Sequence, residues 1–178
     1  TAGWGTYSPG GIHLGAWANS STQSNDIRFY SGGGNIVIKG KAADGMPGIA
    51  WLSGYTGATQ IIDSGAGTIT LDGQGIGSTS TGHGIEIDYY GGAVYPTFKS
   101  SSAATNAISI TGGTIRTSYG AGIQGSMTVI ESGTGGLSLN GTTASSNYYG
   151  VVSAINASVA SGPISVTAAG GLGLKTNG

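Results

Sequence analysis

One segment of ten residues returns along this chain in three versions: SGGGNIVIKG at 31–40, SGAGTITLDG at 64–73 and SGTGGLSLNG at 132–141. In each, a serine-glycine turn leads into two apolar residues separated by one, Ile36/Ile38, Ile69/Leu71 and Leu137/Leu139. A spacing of two is that of a strand with one buried face. TGGTIRTS at 111–118 and AAGGLGLKTN at 168–177 read as weaker copies, with Ile115 and Leu172/Leu174 in the apolar places.

Upstream of each turn lies a second short apolar strand, at Ile27/Phe29, Ile62, Ile108/Ile110, Ile130 and Ile164/Val166. A third element opens with glycine and an apolar residue: GIHL at 11–14, GIAW at 48–51, GIEI at 84–87, GIQG at 122–125 and GVVS at 150–153. The glycine-led, pre-turn and post-turn strands recur in that order. Post-turn strands are expected to start at 36, 69, 115, 137 and 172, so strands keep register while connections vary. Repeats that cannot bury an apolar face alone do so by stacking. The expected fold is all-β, a parallel β-helix (β-solenoid) of about five three-strand coils with variable loops. It forms a single domain over 1–178, with coils from about 11 to 174.

Composition narrows the partners. Only six basic and seven acidic residues occur among 178, so neither nucleic acid nor an anionic membrane finds a matching basic patch. No apolar run approaches the ~20 residues of a membrane-spanning helix. Glycine, 37 residues, has no every-third spacing and so is not collagen-like. With no cysteine, disulfides and thiolate metal sites are excluded. Thr1 in place of methionine, with no signal peptide, reads as a processed product or a piece of a longer chain. The chain opens ahead of a glycine-led strand and closes after an expected post-turn strand, so its two ends are in phase, as expected of one unit of a longer tandem array or of a subunit stacking head to tail.

Chemistry-bearing residues are sparse. Asp63 and Glu131 precede equivalent turn serines two coils apart. At roughly 10 Å they lie slightly beyond the separation of an inverting glycosidase pair, about 6.5–9.5 Å, so acid–base work fits only loosely and both are expected to face water. His13 and His83 fit no triad or metal motif and read as surface or loop residues. No catalytic residue, metal or cofactor is expected. Glu86 should stand in one outward row with His13, Ala50, Gln124 and Val152. Trp51, Tyr55, Tyr89, Tyr90, Tyr95, Tyr148 and Tyr149, interspersed with Asn, Ser and Gln, are candidate contacts for a partner or a glycan.

The pattern carried by SGGGNIVIKG, SGAGTITLDG and SGTGGLSLNG over residues 11–174 resembles the repeat regions of bacterial two-partner-secreted adhesins of the filamentous haemagglutinin type, and autotransporter-like parallel β-helices. The resemblance implies a secreted, extracellular or cell-surface, non-enzymatic filament or stalk that attaches cells to a surface or biofilm matrix. Its partners would be copies of itself and surface glycans. The rival reading is a polysaccharide-binding or polysaccharide-degrading β-helix protein.

Overall fold

The computed structural model describes residues 11–15, 26–43, 45–52, 58–76, 82–88, 94–117 and 120–176. Among these there is no helix. In chain order the strands are β1 (Ile12–Leu14), β2 (Ile27–Tyr30), β3 (Ile36–Ala42), β4 (Ile49–Leu52), β5 (Gln60–Asp63), β6 (Ile69–Gly75) and β7 (Ile85–Asp88). They continue as β8 (Thr97–Ser100), β9 (Ile108–Thr114), β10 (Ile123–Glu131), β11 (Leu137–Thr143), β12 (Val151–Val159), β13 (Ile164–Ala169) and β14 (Leu174–Thr176).

The strands stack in parallel register as three rows. The first joins β1, β4, β7, the start of β10, the start of β12, and β14. The second joins β2, β5, β8 and the later parts of β10 and β12. The third joins β3, β6, β9, β11 and β13. The chain visits the rows in turn, which makes the fold all-β and solenoid-like. The outward row of His13, Ala50, Glu86, Gln124 and Val152 is in register as expected, and Lys175 extends it.

Alternation decides which side chains meet inside. Ile69, Ile108 and Leu137 form one inward level of the third row, and Leu71, Ile110 and Leu139 the next. Ile49, Ile85, Ile123 and Val151 line the first row, and Ile62, Phe98 and Val129 the second. All of these are buried in one hydrophobic cluster. Each such side chain removed from water contributes roughly 1.5–3 kcal/mol before conformational entropy is set against it.

Glycine has a use here besides turning corners. Gly40, Gly73, Gly112 and Gly141 are register partners inside the third row. They face the glycines that open the first-row strands. A Cβ on Gly112 would lie 2.1 Å from the Gly122 carbonyl oxygen, and one on Gly141 would lie 2.2 Å from that of Gly150. Two glycine ladders thus let backbones approach where a methyl group would not fit. In the last third-row strand the ladder ends, because Ala168 is the partner of Gly141.

Three sequence expectations are corrected. Ile108/Ile110 belong to the third row rather than the second, and Ile115 is an exposed residue beyond the strand. The second-row strand at that level is Thr97–Ser100, whose large apolar residue is Phe98. Its turn was hidden because residues 101–107 contain no glycine; Asn106 takes the left-handed conformation instead, at φ 56°. Likewise Ile164–Ala169 is a third-row strand, and Leu174–Thr176 is a first-row strand led by Gly173. Third-row strands therefore start at 36, 69, 108, 137 and 164, separations of 33, 39, 29 and 27 residues. The last described strand stands in the first row, which removes the phase match inferred from a closing post-turn strand. Finally, β10 and β12 each run through two rows. At the changeover in β10 stands Gly125, at φ 120°, where a Cβ would lie 1.9 Å from the Ile87 carbonyl oxygen.

Candidate functional site

β7 and β8 are separate strands, ending at Asp88 and beginning at Thr97, whereas β10 and β12 each run unbroken from the first row into the second. Tyr95, two residues before β8 and 37% exposed, lies beside residues of the two continuous strands. There Ser126 and Thr128 of β10 stand beside Ala154 and Asn156 of β12, in register. With Tyr95 they border an open groove of about 360 Å³, floored by the strand positions of Met127 and Ile155, whose side chains belong to or pack on the core. None of these described lining residues is charged.

Gln124, the next outward residue before Ser126 on β10, accepts a hydrogen bond from the Tyr148 hydroxyl at 3.1 Å. Tyr148 and Tyr149 pack edge to face, centroids 6.0 Å apart, and the Lys175 ammonium lies 5.8 Å from the Tyr149 ring centre. Both tyrosines are half-buried, so they cover the outward row more than they project from it. Trp51 is a correction. It is 1% exposed, pairs in register with Ile87, donates its indole N–H to Gln60 at 3.0 Å and meets Phe98 edge-on at 5.6 Å. It is a core residue, not a partner contact. Tyr55, Tyr89 and Tyr90 lie outside the described residues.

The two carboxylates that precede the turns are both engaged locally. Asp63 accepts from the Gly65 N–H at 2.9 Å. Glu131, expected at the surface, is 1% exposed and accepts from the Gly133 and Gly136 N–H groups at 2.6 and 3.1 Å. Lys99 pairs with Asp63 on one side and Ile130 on the other, so Glu131 is one residue out of step with Asp63. Alternation then sends the two side chains to opposite faces. Each carboxylate holds its own turn closed, and they do not converge on a shared substrate position.

His83 is likewise buried, where a surface or loop residue was expected. Its Nδ1 accepts the Ala121 N–H at 2.9 Å, which fixes the neutral Nε2–H tautomer, and Nε2 lies 4.0 Å from Glu86 Oε1. Burial pushes its pKa down to about 4, and the Arg116 charge acts in the same direction. The Tyr148 ring centre lies 6.3 Å away. The imidazole therefore serves as a neutral plug between adjacent passages of the chain. Among the described residues no group of three His, Asp or Glu is placed to hold a metal ion, and no helix is long and apolar enough to cross a membrane.

The groove residues Ser126, Thr128 and Asn156 were missed by sequence reading. The available signal was alternation, which places Ser126, Thr128 and Asn156 at outward positions of their strands. No family model, curated protein or solved structure matches this chain.

Proposed function

We propose that this chain is a structural, non-enzymatic subunit of an extracellular filament or adhesin stalk that assembles end to end by stacking of its parallel strands. In this reading the three rows wind as about five coils, and a further coil is begun at Leu174–Thr176. One observation carries it. The inward rows continue in register to the last described strands, where Ile164, Val166 and Leu174 are 56%, 42% and 47% exposed. Their partners one strand earlier, Leu137, Leu139 and Val151, are at most 1% exposed. Side chains placed as core but left uncovered favour a further layer of the same kind.

The other end offers a weaker counterpart. Phe29, the register partner of buried Ile62, is 39% exposed. Low charge removes repulsion between stacked or laterally packed copies, and the carboxylates committed to turns favour the non-enzymatic reading over polysaccharide cleavage. Cell-surface or biofilm-matrix attachment is the role such a stalk would have. Electron microscopy of the purified chain tests the reading. Unbranched fibres with an axial spacing of about 4.8 Å between strands are expected; discrete particles at every concentration overturn it.

A further inference from the structure

We propose that the groove beside Tyr95 binds a neutral oligosaccharide chain. Four observations converge on that ligand class. The groove, about 360 Å³, is at the small end of ligand clefts, which run from roughly 300 to 1,000 Å³. Its described lining has no charge to neutralise an acidic or basic ligand.

Its polar groups are of the matching kind. Ser126, Thr128 and Asn156 present two hydroxyls and an amide, groups that both donate and accept, as sugar hydroxyls do. Among the described residues these three side chains make no hydrogen bond within the chain. They are held at strand spacing, about 4.8 Å across and twice about 3.3 Å along, so successive hydroxyls of an extended ligand meet them in order. Beside them the exposed Tyr95 ring supplies the apolar surface on which the C–H face of a pyranose packs.

The groove is independent of the uncovered end, so the two ideas are separable. The test uses the full chain carrying Ile164→Asp, chosen to place a charge on the uncovered end so that any stacking is opposed, titrated calorimetrically with cellohexaose, maltohexaose and a trigalacturonate. Circular dichroism checks that each variant retains the parent fold. Binding of at least one neutral hexasaccharide is expected, weakened about tenfold by Tyr95→Ala and severalfold by Asn156→Ala or Thr128→Val. Tyr149→Ala, in the neighbouring tyrosine pair, should leave it unchanged. Absence of binding to both neutral sugars, binding of the trigalacturonate alone, or binding that survives Tyr95→Ala would each overturn the proposal. None of these outcomes bears on filament formation, which the unsubstituted chain reports.

Discussion

Ile110 and Val166 occupy the same inward row, two strands apart, and their surroundings differ completely. Ile110 is sealed between Leu71 and Leu139, whereas Val166 has Leu139 on one side and no described strand on the other. The glycine ladder changes over the same distance, from Gly112, pressed on the Gly122 carbonyl, to Ala168. At the opposite end Ile27 and Ile38 are already buried, though Phe29 is not. The middle of the stack is thus a finished core, and the carboxy-terminal end has the pattern of a core without its closure. Position in the stack, more than residue type, sets what an apolar side chain contributes.

The comparison can be broken most forcefully by truncating one row at two places. Ile110→Ala should cost about 2–5 kcal/mol in chemical denaturation, the range for emptying a closed core position. Equal losses at Ile110 and Val166 in a non-stacking background would show that the end is as closed as the middle.

Next in size is acid sensitivity, which belongs to the closed region. His83 has a folded pKa of about 4 against 6.5 unperturbed, so the unfolded chain binds more protons between those values. Stability is full above pH 6.5, falls as pH drops to about 4, and then levels off, a loss of about 3 kcal/mol at ~1.4 kcal/mol per pH unit. His83→Asn, which retains an acceptor for the Ala121 N–H, should flatten that part of the pH–stability curve. An unchanged slope would place the sensitivity elsewhere.

The glycine ladders give a smaller, more local contrast. Gly112→Ala should lose about 1–3 kcal/mol through the clash with the Gly122 carbonyl. Ala168→Gly, at the same level of the row, should change stability by less than about 1 kcal/mol. Val166→Ala in a non-stacking background should likewise cost under about 1 kcal/mol, since much of its side chain is already in water. Thermal or urea unfolding of the three variants ranks them directly.

How much of this was legible depended on whether a residue's local pattern had one meaning. Ile36, Ile69 and Leu137 follow a serine-glycine turn and alternate cleanly, so their row and register could be read. Glycine had two meanings. In SGAG it makes a turn; in TGGT, Gly112 and Gly113 lie inside a strand and permit backbone contact, so the copy built on them was misplaced. Phe98 is flanked by Thr97 and Lys99, a strand too short and polar to register beside Ile108 and Ile110. Trp51 could have been assigned inward, because it shares the alternation phase of Ile49, but its aromatic character suggested a contact. The outward places of Ser126, Thr128 and Asn156 followed from alternation, but their position beside Tyr95 did not, since that depends on how the strand rows stack.

Stacking at the carboxy-terminal end is tested most directly by sedimentation velocity of the chain and of its Val166→Asp variant across a concentration series. End-to-end assembly predicts that the unsubstituted chain grows with concentration into species far above its 17.4 kDa mass, while the variant, still folded, sediments as a monomer. Two monomers at every concentration, or two chains that assemble equally well, would contradict it.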